Sequence, residues 1–95
     1  MTSRIDVVEG KVFRFEGLHV YQEAETFFQW AQTLMRRWPS SYRYSLTDQL
    51  QRAVLSILLN IAEGSSRTRR DFQHFLTIAR GSCFECVAIM RVAKL

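Results

Sequence analysis

Gln49-Leu50-Gln51-Arg52-Ala53-Val54-Leu55-Ser56-Ile57-Leu58-Leu59-Asn60-Ile61-Ala62-Glu63-Gly64 reads as one helix, apolar around most of its circumference. Together with Leu46, the residues Leu50, Ala53, Val54, Ile57 and Ile61 make one apolar face. Leu55, Leu58, Leu59 and Ala62 make a second. The polar residues do not scatter. Arg52, Ser56, Asn60 and Glu63 follow at steps of four, four and three, so they form a single line along the helix. A helix with two apolar sides and one narrow polar seam belongs inside a bundle or an oligomer. The seam itself has two readings. One is a hydrogen-bonded interhelix network that fixes register. The other is a ligand or nucleic-acid site. The apolar flanks favour the network.

The neighbouring segments supply the rest of an all-α, up-down antiparallel bundle. Ser45, with Asp48 three residues on, predicts an N-cap for a helix over 46–63, and Gly64 predicts its stop. On the N-terminal side a helix is predicted over 18–37. Val20, Ala24, Phe27, Phe28, Ala31, Leu34, Met35 and Trp38 form its apolar stripe, and Pro39 ends it. On the C-terminal side Thr68 and Asp71 predict the start of a helix over 69–94. Its core face is Phe72, Phe75, Leu76, Ala79, Cys83, Cys86, Met90 and Ala93. Gly81 inside that helix costs up to about 1 kcal/mol against alanine. A tight helix crossing or a ligand is therefore expected there. Residues 1–17 lack a helical period and read as an extended or flexible arm, leaving 18–95 as the helical-bundle domain. The period still runs at Leu95. Three helices with this much apolar surface leave a groove uncovered. A fourth helix, absent or truncated in this chain, or a partner subunit is expected to cover it.

Composition narrows the function. Hydrophobic residues make up 47% of 95, enough for a core, and the net charge is +4 with a pI near 9.6. A surface of that sign favours polyanions. The cations cluster locally at Arg36-Arg37 and at Arg67, Arg69 and Arg70. With Arg80, these are the candidate phosphate contacts. Trp30, Trp38, Tyr42 and Tyr44 lie near Arg36, Arg37 and Arg43. Such aromatics either stack bases or close the end of the bundle, and closure is the favoured reading. No run of about 18 apolar residues predicts a membrane span. The first ten residues hold Arg4, Asp6 and Glu9 and do not resemble a secretory signal, so a cytoplasmic location is expected.

No catalytic constellation stands out. The P-loop, dinucleotide, zincin and nucleophile-elbow motifs are all missing. Cys83 and Cys86 lie one turn apart deep in a predicted helix, away from the N-terminus that would activate a thiol, and both read as core. Zinc would need two further ligands, and His19 and His74 have no paired spacing. His74 and Asp71 read as a surface pair. The expectation is a protein that is not an enzyme, with no metal and no cofactor.

Several short elements fall in an order that resembles a known family. These are Phe15-Glu16-Gly17-Leu18-His19-Val20-Tyr21-Gln22, Trp38-Pro39, Tyr44-Ser45-Leu46, Gln49-Leu50-Gln51-Arg52-Ala53, Asn60-Ile61-Ala62-Glu63-Gly64, and Ile78-Ala79-Arg80-Gly81-Ser82 with Glu85. Over about residues 15–93 the chain resembles the four-helix-bundle proteins encoded in intervening sequences of bacterial large-subunit ribosomal RNA genes. It is also similar to the accessory variability protein of diversity-generating retroelements. The resemblance implies a bundle that assembles as a homo-oligomeric ring, typically a pentamer. For the retroelement relatives it implies binding to nucleic acid and to a reverse transcriptase. The expected function is a non-catalytic oligomeric bundle that binds RNA or DNA through its basic surface. The alternative is a scaffold that docks a partner protein, such as a reverse transcriptase, in the apolar groove.

Overall fold

A computed structural model of the chain describes residues 13–94, and among these it is all-α, with no strand. Three helices carry the fold: α1 (His19–Arg36), α2 (Asp48–Ser65) and α3 (Arg69–Lys94). The short link between α2 and α3 folds them back on each other, and the side-chain pairs confirm the antiparallel sense. Gly64 lies against Phe72 and Phe75, while Ser56, two turns earlier, meets Ser82. α1 runs antiparallel to α2 as well. Gln32 Nε2 donates to Gln51 Oε1 at 2.8 Å, and Arg14, just before α1, reaches Ser65 at the far end of α2. α2 is thus the central helix. It supplies Leu50, Val54 and Ile61, three of the largest fully buried side chains, with Cys86 of α3 as the fourth. Burying each of these aliphatic side chains is worth about 1.5–3 kcal/mol. From α1, Ala24, Ala31 and Met35 complete the core.

Neither glycine has the role expected of it. Gly64 does not stop α2, which continues through Ser65. It is buried at the helix crossing, where an added Cβ would lie 2.6 Å from Phe75 Cβ and 2.9 Å from Phe72 Cδ1. No real carbon tolerates the first approach, so the pairing of α2 and α3 requires glycine here. Gly81 is exposed, with nothing within 4 Å of its would-be Cβ, so the tight crossing expected there is absent. Its neighbour Ser82 is the residue that turns inward.

Other expectations are also corrected. Ser45 does not cap α2. It sits within one turn of π-helix, Arg43–Thr47, that leads into α2, and its hydroxyl donates to the Tyr42 carbonyl. Residues 1–12 of the expected arm lie outside the described residues, but its end is neither extended nor free. Arg14–Gly17 form a 3₁₀ turn, closed by a bond of 2.8 Å from the Phe13 N–H to the Glu16 carboxylate. Arg14 fastens that turn to the bundle, donating to the Ser65 carbonyl at 2.9 Å and lying over the Phe72 ring. The second apolar face of α2 is only partly covered. Leu58 is buried, but Leu55 and Leu59 are exposed. Cys83 is exposed too, because three residues carry it about 60° around the helix from buried Cys86.

The two glycines predict opposite responses to the same substitution. Gly64→Ala forces the helices apart at their closest approach and should cost about 1–3 kcal/mol, outweighing the up to about 1 kcal/mol that alanine gains in helix propensity. Gly81→Ala meets open space and should stabilise by about 0.5–1 kcal/mol. Thermal melts of the two variants check both signs.

Candidate nucleic-acid interface

All six arginines proposed as phosphate contacts are exposed, but the fold does not bring them together. Arg36 and Arg37 lie where α1 ends. Arg67, Arg69 and Arg70 lie where α3 begins, at the opposite end of the antiparallel stack. α2 separates the two ends with 18 residues, or about 27 Å. That is some three Debye lengths at physiological ionic strength, where screening falls off over about 8 Å. The ends act as electrically independent sites. Arg80 stands between them on α3, its guanidinium 5.4 Å over the exposed Phe84 ring.

The ends differ sharply in charge. At the end where α1 finishes, α2 begins and α3 finishes, the cations are Arg36, Arg37, Arg43, Arg52, Arg91 and Lys94. The acid among them is Asp48, whose carboxylate is bonded by Arg52 Nε at 3.1 Å. The rest of the described chain holds Arg14, Arg67, Arg69, Arg70 and Arg80 against Glu16, Glu23, Glu25, Glu63, Asp71 and Glu85. The excess positive charge therefore belongs to the first end alone. Arg67 shows the contrast directly. Its Nε donates to Glu63 at 3.1 Å, and its guanidinium lies 5.4 Å over the Phe75 ring. The bond to the Glu63 carboxylate, and then that group's charge, push the Arg67 pKa further up. This arginine is spent on joining α2 to α3.

Sequence reasoning missed Arg43, Arg91 and Lys94 as members of the basic end. Lys94 and Arg91 look like ordinary last-turn cations, and only the antiparallel return of α3 carries them to Arg36 and Arg37. The aromatics at this end divide. Trp38 and Tyr42 meet edge to face at 5.8 Å, half-buried, and close the bundle. Tyr44 is 88% exposed, with the Arg43 guanidinium 5.6 Å over its ring. Beside them an apolar groove of about 330 Å³ opens between α1 and α3, lined by Trp30, Leu34, Trp38, Met90, Ala93 and Lys94. A second cleft, of about 770 Å³, lies at the opposite end between the Phe13–Phe15 turn and the outer side of α2. Its charged lining, Arg14 and Glu63, is already engaged with Ser65 and Arg67.

The polar seam of α2 splits as well. Asn60 Nδ2 donates to the Ser56 carbonyl at 2.8 Å and to Ser56 Oγ at 3.0 Å, and Ser82 Oγ donates to Ser56 Oγ at 2.9 Å. This middle portion is an interhelix network. Ser82, the partner that the α2 sequence could not reveal, is 8% exposed. The outer members, Arg52 and Glu63, pair locally with Asp48 and Arg67 instead. Neither thiol shows the lowered pKa of an activated nucleophile. Burial, followed by the nearby Cys83 and Glu85, pushes Cys86 up to about 11, and burial raises Cys83 too. Among the described residues, no three His, Cys, Asp or Glu side chains gather where a metal could bind, and no helix is long and apolar enough to cross a membrane.

The fold and surface define a small all-α protein whose distinctive feature is a basic, aromatic helix-bundle end. The family model of the 23S rRNA-intervening sequence proteins matches residues 16–95. The chain belongs to that family. No curated protein and no solved structure matches it.

The Ser56–Ser82 contact gives a stability test. Ser56→Ala and Ser82→Ala should each destabilise by about 0.5–1.5 kcal/mol, and the double variant should cost less than their sum. A denaturant-unfolding double-mutant cycle measures the coupling. Strict additivity would show that the hydroxyls do not act on each other.

Proposed function

We propose that this protein is a non-catalytic, homo-oligomeric bundle that binds RNA or DNA through the basic end formed by Arg36, Arg37, Arg43, Arg91 and Lys94. The observation that carries this reading is the segregation of charge. A net +4 spread evenly would be an ordinary solvated surface. Here the described residues away from that end are balanced or slightly acidic, and the end holds the whole excess. Such a concentration attracts phosphates from beyond contact distance and releases counterions when it binds them. The family's description, which ties its members to an intervening sequence of 23S rRNA genes, supports a nucleic-acid context. Arg69 and Arg70 become secondary contacts, and Arg67 and Arg80 serve their local stacking partners first.

Assembly rests on a different observation. Ile78, Gly81, Ala88 and Val92 fall along one exposed line of α3, with Phe84 beside it and Glu85 as the one charged residue within it. Phe84 is 62% exposed. Exposed apolar side chains gathered on one helix face mark a candidate contact surface, and Glu85 within it would lie at the edge of such a contact or find a cationic partner there. A second copy is the proposed occupant, and a pentameric ring is the form that the resemblance implies. The same face supports the alternative, in which a partner protein docks there or in the groove beside Trp30.

The two readings separate under charge reversal. The variant Arg36→Glu/Arg37→Glu should weaken RNA binding and reduce its log–log salt slope by at least about 1.4, the share of two phosphate contacts. Arg69→Glu/Arg70→Glu should have the smaller effect. Fluorescence anisotropy across a salt series checks this. Binding that ignores salt, or that depends chiefly on Arg69 and Arg70, would contradict the proposal. A protein partner held by the apolar face would remain bound to both variants.

A further inference from the structure

We infer that Tyr44 is a stacking platform for an unpaired base, so that the basic end selects single-stranded over duplex nucleic acid. The inference rests on the nucleic-acid reading above and adds the form of the ligand.

The placement of Tyr44 has no folding rationale. Its neighbours Trp38 and Tyr42 set their rings against each other, and Trp38 packs on the core, whereas Tyr44 leaves 88% of its surface in water. It stands in the single π-helical turn Arg43–Thr47, an arrangement that in helices recurs at functional sites. Arg43 lies 5.6 Å over the ring, so a cation is already poised beside the aromatic surface. Arg36 and Arg37, one short connection earlier, supply phosphate contacts within the same end. An exposed ring among unneutralised arginines is the pairing that single-strand binders use. The cations track the backbone, and the ring takes a base by its face. In a duplex both faces of every internal base are already stacked, so the ring has nothing to take. The cleft at the other end has aromatic walls in Phe13 and Phe15, but it lacks the surplus charge that would bring a strand to it. Neither stacking nor phosphate contact reads the 2′-hydroxyl. Oligouridylate and oligodeoxythymidylate of equal length should therefore bind alike.

The test uses the full chain with labelled oligouridylate, its deoxythymidylate counterpart and a blunt RNA duplex of similar charge. Tyr44→Ala should weaken binding to both single strands about tenfold, within the range that one stacked base contributes. It should leave duplex binding unchanged, and Tyr44→Phe should restore single-strand affinity. Because Tyr44 is outside the core, an unchanged melting temperature should accompany the loss. Equal losses on single strand and duplex, or no loss on either, would overturn the inference. If Arg36→Glu/Arg37→Glu weakens binding while Tyr44→Ala does not, the stacking role fails and the basic-end reading survives. If the unaltered protein binds none of the probes, both fail together.

Discussion

The approach of α2 to α3 at Gly64 is the constraint on which the remaining structure depends. With 2.6 Å between a would-be Cβ and Phe75, the crossing exists only because that position has no side chain. Two aromatic rings, Phe72 and Phe75, sit over the gap, and arginines lie across those rings in turn, Arg14 over Phe72 and Arg67 over Phe75. The corner thus combines close packing, two cation–π contacts and the Arg67–Glu63 pair. Two turns further along, the Ser56–Asn60–Ser82 hydroxyl and amide network holds the same register. A slip of one helical turn would bring phenylalanine against a larger residue than glycine and would part the serines. Packing and polar contacts therefore specify one alignment.

That alignment has an electrostatic consequence. Arg14 and Arg67 are drawn into holding the Gly64 corner, and Glu16, Glu63 and Asp71 lie nearby in sequence to answer the positive charge there. The α3 helix, running back along α2, delivers Arg91 and Lys94 to the other end, where Arg36, Arg37 and Arg43 already stand. The molecule becomes an electric dipole by topology. One end is structural and neutral, and the other is cationic, aromatic and open. Exposed apolar side chains remain along this axis, Phe84 and Val92 on α3 and Leu55 and Leu59 on α2.

Much of the fold was legible because helical periodicity is local. The three helices follow from the apolar steps, and Thr68 does accept the Asp71 N–H at the start of α3, as its side chain type predicts. What was not legible depends on contacts between segments far apart in sequence. A glycine at a helix end and a glycine at a crossing are the same letter, and only the partner's position distinguishes Gly64 from Gly81. Ser45 looked like a cap because the π turn that displaces it has no local signature. Likewise Leu55 and Leu59 match buried leucines in composition, but no described helix lies over them. For the site, all six chosen arginines are on the surface, yet the choice by sequence proximity merged two unlike clusters. Arg67 belongs to an ion pair visible as an i, i+4 spacing with Glu63. The membership of Arg91 and Lys94 needed the return of α3.

The most direct test of this account maps where a nucleic acid touches the protein. Photo-crosslinking of 4-thiouridine-substituted RNA to the full chain, followed by peptide mapping, reports position without altering any residue. The account predicts crosslinks in the segment from Arg36 to Thr47, with further ones near Arg91, and few at Arg67–Arg70. Crosslinks concentrated at Arg67–Arg70, or spread evenly over the chain, would contradict it.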